Sequence, residues 1–200
     1  MGNYVQNTFH MQQSTALPGD IYAAQSSTNC ISALYLDETD SVILRPGMAV
    51  ALIPAASTDI PAGVGNIARS GIDFVAVPLP AAAGTIVQIG IVVRNQAGGS
   101  TRFDGSSDPR NSIANGSMLD VMRVERGAQM YLAAAEGAYT ASGFTTATAG
   151  FASSGDDLGR FTATGASYPV KVEILDTVTI TSANKAHTPV PVRFLSGVGE

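Results

Sequence analysis

Lysine and arginine number 11 and aspartate and glutamate 16 in a chain of 200 residues, so 14% is charged against about 25% in an average soluble protein, and 45% is hydrophobic. A net charge of −5 supplies no cationic field for nucleic acid. No run approaches the roughly 20 apolar residues of a membrane-spanning helix, and a single cysteine excludes an internal disulfide framework.

Taken in chain order, residues 1–30 are polar and amide-rich, with sparse hydrophobes at Tyr4, Val5, Phe9, Met11 and Leu17. That spacing suits neither helix nor strand, and an extended N-terminal arm is expected, broken by a turn at Pro18-Gly19-Asp20. The start, Met1-Gly2-Asn3-Tyr4-Val5-Gln6-Asn7, has neither the basic nor the apolar segment of a secretion signal. Gln6 also stands where a myristoylation motif carries Ser or Thr, so a protein kept or assembled in the reducing cytoplasm is expected.

From Ile31 the pattern turns β-like. Ile31–Leu36 alternates partly, Asp37-Glu38-Thr39-Asp40 reads as a turn, and Ser41–Arg45 and Met48–Ile53 flank Pro46-Gly47 as a hairpin or tight corner. Asp73–Leu79 and Thr85–Arg94 form the next pair of strands. The second is the strongest in the chain, β-branched at most positions, and Gly90 within it marks a bulge or a close backbone approach. Residues 95–117, rich in Gly, Ser, Asn and Asp, read as a long loop.

Met118–Arg126 fits both a strand and a helical spacing; the strand is favoured because Gly127 and then Gln129–Leu132 suggest a bend and a second strand. Residues 140–165 are Thr/Ala/Gly-rich and are expected to form an extended excursion. Period two returns at Val170, Val172 and Ile174, then at Val178 and Ile180. Val190, Val192 and Phe194 close the chain as a strand that Pro189 and Pro191 mark as an edge. Eight or more short strands, no long amphipathic helix and no repeat predict an all-β fold. The expected form is an antiparallel β-sandwich or barrel, jelly-roll-like, with the arm at 1–30 and one β domain over 31–200.

Residues able to do chemistry are few and scattered. His10 and His187 are the only histidines, no metal-binding pair such as C-x-x-C or H-x-x-x-H occurs, and there is no G-x-S-x-G elbow. Cys30 with His187 could make a nucleophile and base, but Cys30 enters an apolar stretch and reads as a small core residue. The acidic groups Asp37-Glu38-Thr39-Asp40 and Asp156-Asp157 read as turn residues. Asp104-Gly105-Ser106-Ser107-Asp108 comes nearest to a calcium loop without matching one, and a Ca²⁺ site there stays open. Gly63-Val64-Gly65 lacks the third glycine of a dinucleotide fingerprint, and Asn115-Gly116-Ser117 reads as a turn. No catalytic, cofactor-binding or metal residue is therefore assigned, and no enzyme is expected.

Four stretches carry a resemblance: Pro18-Gly19-Asp20, Ile43–Val50, Asp120–Gly127 and Val190–Phe194, 24 residues spread along the chain. Their layout resembles the decoration, or cement, proteins of tailed-bacteriophage heads. The resemblance implies a non-enzymatic protein, dimeric or trimeric, on the outer surface of an expanded capsid, where it ties major capsid protein subunits together. Arm hydrophobes Tyr4, Val5, Phe9 and Met11 would then be the contacts to the partner. The alternative is a phage tail, fibre or receptor-binding β-module, for which Tyr131, Tyr139, Phe144 and Phe151 are the aromatic group available to a sugar. A β-sandwich hydrolase using Asp156 or Asp157 is the third reading.

Overall fold

The computed structural model describes residues 18–21, 30–39, 42–55, 72–81, 88–94, 101–102, 112–141 and 149–196. Its strands are, in chain order, β1 (Cys30–Tyr35), β2 (Ala49–Pro54), β3 (Phe74–Val77), β4 (Gln88–Val92), β5 (Thr101–Arg102), β6 (Ser112–Ile113), β7 (Met118–Arg123) and β8 (Gln129–Ala133). The C-terminal part adds β9 (Gly137–Tyr139), β10 (Gly150–Phe151), β11 (Phe161–Thr162), β12 (Tyr168–Pro169), β13 (Val172–Ile174), β14 (Val178–Ile180) and β15 (Pro189–Phe194). A single 3₁₀ turn, Gly155–Asp157, is the sole helical element among the described residues.

Five strands close into a barrel in the order β1-β3-β2-β4-β7, with β7 returning to β1. Every contact in it is antiparallel except β1 with β3, which run parallel with Leu34 opposite Val75. The all-β expectation thus holds in its barrel form. The barrel strands lie between two apolar clusters, and period two deals their side chains to one or the other. Val50, Leu52, Val92, Leu119 and Val121 fill one cluster; Ala49, Ala51, Ile89, Ile91 and Met122 belong to the larger one that continues into the C-terminal sheets. Burial on both faces is why β2 and β4 read as unbroken apolar runs rather than as clean alternation. Gly90 pairs regularly with Val50 and with Arg123, so it forms no bulge. It is required because a Cβ there would run into Val121 and Leu52, which already fill the barrel.

Around the barrel lie the sheets β13-β15-β8 and β11-β10-β12, and the two-stranded ribbons β14-β9 and β5-β6. Phe151 and Tyr139 both stack on Phe161 in the larger cluster, with ring centroids 6.2 and 5.7 Å apart. Val170, Val172 and Ile174 are buried while Lys171 is exposed, as their alternation predicts.

Of the hairpin or tight corner expected at Pro46-Gly47 the structure has the corner: Met48 donates to the Arg45 carbonyl at 3.2 Å, β2 pairs with β3 and β4, and Leu44 bridges to Ile113. Three expectations need correction. Residues 95–117 are not loop throughout, since β5 and β6 pair within them, and 140–165 carries β10, the 3₁₀ turn and β11. The strand β15 is not an edge but the middle of its sheet. Its prolines are tolerated because β13 has ended where they lie: β13 faces Val192–Phe194, and beyond it Leu175 donates to the Pro191 carbonyl at 3.0 Å. The N–H that Pro191 lacks would point past the end of β13, and on the other side Tyr131 directs its own N–H and C=O away from Pro191, to Asp20 and Gly19.

Residues 1–17 and 22–29 of the expected arm lie outside the described residues, but Pro18–Ile21 is built into the fold. Gly19 donates to the Tyr131 carbonyl at 2.7 Å and accepts from the Arg94 N–H at 2.9 Å. Gly47 donates to the Val92 carbonyl at 2.8 Å and accepts from the Ala133 N–H at 3.0 Å. The two Pro-Gly turns, all four residues buried, therefore sit back to back and join barrel strand β4 to sheet strand β8. The side chains of Arg94 and Asp20 approach to 3.4 Å at the same seam.

Candidate functional site

One end of the barrel carries the features suited to contact. Residues 36–39 and 42–44 are tied together by Asp37, which is buried and accepts from the Thr39 N–H, the Thr39 hydroxyl and the Val42 N–H at 3.1, 2.8 and 2.9 Å. Asn115 clamps the backbone of Asp37 from the facing turn, accepting from its N–H at 3.0 Å and donating to its carbonyl at 2.7 Å. Gly116 and Ser117 hydrogen-bond Tyr35, and Ile113 donates to the Leu44 carbonyl at 2.9 Å. Beside these segments stand Ile43 and Met118, the latter the first residue of β7; they are the two large hydrophobes that stand out as exposed among the described residues, at 63% and 50%. Exposed apolar side chains on a rigid base are what a partner can cover.

The root of the N-terminal segment is at this same end. Beyond β4, Val93 donates to the Asp120 carbonyl at 2.8 Å, so the chain runs along β7 towards Met118. Arg94, one residue on, bonds Pro18 and Gly19. Pro18 and Arg94 therefore meet at this end of the barrel, with the continuation of β4 lying between Gly19 and β7. The expected contact residues Tyr4, Val5, Phe9 and Met11 lie outside the described residues.

Among the described residues, the others singled out are not brought together into a reactive site. Cys30 starts β1 with its thiol pushed up by burial and by the charge of Asp120, the reverse of nucleophile activation. His187 is exposed in the 181–188 turn, its N–H on the Asn184 carbonyl. Asp157 is held by Lys185 at 2.5 Å and stands 3.9 Å from Arg160, while Asp156 is exposed, so the pair forms no two-carboxylate site. Arg160 is buried and donates to the carbonyls of Ala134 and Lys185 at 3.4 and 3.3 Å. This ion group links the 3₁₀ turn to the 181–188 turn. Asp157 and Arg160 lie three residues apart, but Lys185 joins them from 28 positions away, a link that only the tertiary fold reveals.

Tyr139 and Phe151 belong to the core and offer no face to a sugar; Tyr131 is half-buried, and Phe144 lies outside the described residues. Burial first, then the charge of Asp157, pushes the Tyr139 hydroxyl up, with Arg160 pulling the other way. That hydroxyl shares its one proton between the carbonyls of Ala135 and Phe161, at 2.9 and 3.0 Å, a structural role. Asp104, Asp108, Asp40 and His10 lie outside the described residues. Among the described residues no three His, Cys, Asp or Glu side chains gather as a metal site, and no helix is long and apolar enough to cross a membrane.

No family model matches the chain, and neither a curated protein nor a solved structure matches it.

Proposed function

We propose that this chain is a non-enzymatic structural protein of a tailed-phage virion, a decoration or cement protein. In this reading it binds the outer surface of the capsid as a homodimer or homotrimer and ties neighbouring major capsid protein subunits together. The observation that carries the reading is the barrel end that bears exposed Ile43 and Met118 and at which Pro18 meets Arg94. A braced apolar end and an attached segment with Tyr4, Val5, Phe9 and Met11 suit docking onto a lattice of subunits. With 14% of the chain charged, little charge has to be desolvated when such a surface is covered. Repetition over a shell turns modest single contacts into avid binding. The burial of Tyr139 and Phe151 removes half of the aromatic group on which a sugar-binding module would rely.

The test is co-sedimentation with expanded, undecorated phage heads. Saturable binding is expected, weakened at least ten-fold by Ile43→Asp with Met118→Asp and lost on removal of residues 1–17, while melting temperature changes little. An isolated subunit that ignores heads but binds glycans or cells would establish the receptor-binding alternative. Turnover of a substrate, abolished by Asp156→Asn with Asp157→Asn, would overturn both.

A further inference from the structure

The ribbon β14-β9 has two edges, and only one of them is closed. On the β14 side Asn184 folds back, donating from Nδ2 to the Thr179 carbonyl at 3.0 Å and accepting from the Thr181 N–H at 2.7 Å. The Thr179 carbonyl therefore points away from β9. Because backbone direction alternates along an antiparallel ladder, the hydrogen-bonded pairs are Val178 with Tyr139 and Ile180 with Gly137. Ala138, opposite Thr179, then turns its N–H and C=O to the far side, flanked by Glu136 in the bend before β9 and Thr140 just after it. None of these three backbones has a partner among the described residues, and residues 136–138, 140 and 141 are all exposed.

We propose that this edge pairs with the same edge of a second copy of the chain, antiparallel about a two-fold axis through Ala138. The inference deepens the self-association part of the reading above and rests on it. The edge is complementary to itself. Ala138 meets Ala138 of the partner subunit, two methyl groups that pass without a clash. Glu136, the only charge on the edge, falls opposite Thr140 of the partner subunit, so no like charges oppose each other. A ribbon of three residue pairs is marginal by itself, and pairing converts it into a four-stranded sheet β14-β9-β9-β14. Exposed edges are ordinarily blunted by lysine, proline or a bulge, and β9 has none of these.

Sedimentation equilibrium on the full chain tests the pairing. The wild type is expected at an even multiple of the 20.5 kDa chain mass. Ala138→Lys, which sets two cations face to face, is expected to halve that mass. Thr179→Lys, on the closed edge, is expected to leave it unchanged. Circular dichroism checks that each variant is folded. In a Cys30→Ser background, Ala138→Cys is expected to cross-link the pair on oxidation, since hydrogen-bonded partners sit about 5.5 Å apart between Cα atoms, within disulfide reach. A monomeric or trimeric wild type, or a folded Ala138→Lys that keeps its mass, overturns the proposal. Head binding separates the two readings: a monomer that coats heads sinks the pairing alone, and a β9-paired dimer that ignores heads sinks the capsid reading alone.

Discussion

Gly19 and Gly47 show how much can depend on a missing side chain. Both have positive φ, 87° and 82°, and both touch backbone on the far side of a seam. A Cβ on Gly19 would stand 2.5 Å from the Pro46 Cβ, and one on Gly47 would stand 2.7 Å from the Ala133 nitrogen. Gly116 has the same φ of 82° but open space around it. Gly116→Ala is therefore expected to cost only the left-handed backbone term, about 1–2 kcal/mol. Gly19→Ala and Gly47→Ala should each cost at least about 2 kcal/mol more, read from denaturant midpoints, because backbone must shift as well. Tyr139 yields a second residue-scale prediction. Its hydroxyl, and that of Tyr168, are pushed up chiefly by burial, so the native state keeps protons that the unfolded chain releases above about pH 10. Their contribution is complete below that pH and drains away as pH rises towards the native values. Stability should fall above about pH 10 by up to about 1.4 kcal/mol per pH unit for each tyrosine, and Tyr139→Phe should flatten that slope in urea titrations.

At the scale of elements, the two Pro-Gly turns act as one joint. Each bonds both to the β4 strand or its continuation and to β8, and a Cβ on Gly47 would lie 2.8 Å from the Gly19 nitrogen. Their substitutions should not add: once either turn has been displaced, the second Cβ finds the space already opened. A double-mutant cycle of Gly19→Ala with Gly47→Ala is expected to fall short of the sum by about 1 kcal/mol or more, and strict additivity would show that the turns act separately. The elements themselves were legible wherever one face meets the core. The strands at Val172 and Val178 follow from alternation, those at Met118 and Gln129 from the Gly127 break between them, and Phe74–Val77 and Gln88–Val92 fall inside the apolar runs that foretell them. Pairing was not legible. A Pro-Gly dipeptide between two apolar runs looks the same whether its flanks pair with each other or, as here, with β3, β4 and Ile113. Prolines in β15 signal an edge only if the neighbouring strand is long enough to reach them, and the length of β13 is not written in β15.

At the scale of the molecule, the exposed Ile43 and Met118 separate folding from docking. Both are outside the clusters that hold the barrel together, so Ile43→Asp and Met118→Asp are expected to move stability by no more than about 0.5 kcal/mol. Their effect on head binding should change little between low and high salt, because apolar contact is not screened as charge is. A binding loss that high salt restores would point to charge repulsion from the new aspartates instead. The candidate surface was only partly foreseeable. Hydrophobes in the arm stood out because they lie in polar sequence, whereas Ile43 and Met118 sit in apolar runs that resemble core.

Residue order alone settled the β class, the weak charge and the scarcity of reactive side chains, since each depends on composition or on a period that any strand must obey. Which strand neighbours which, that two Pro-Gly turns meet in the interior, that Asp157 is paired with Lys185, and that β9 keeps a bare edge were decided only in three dimensions. These are contacts between residues tens of positions apart, and what selects them is the joint packing of all faces at once, a quantity that no local pattern contains.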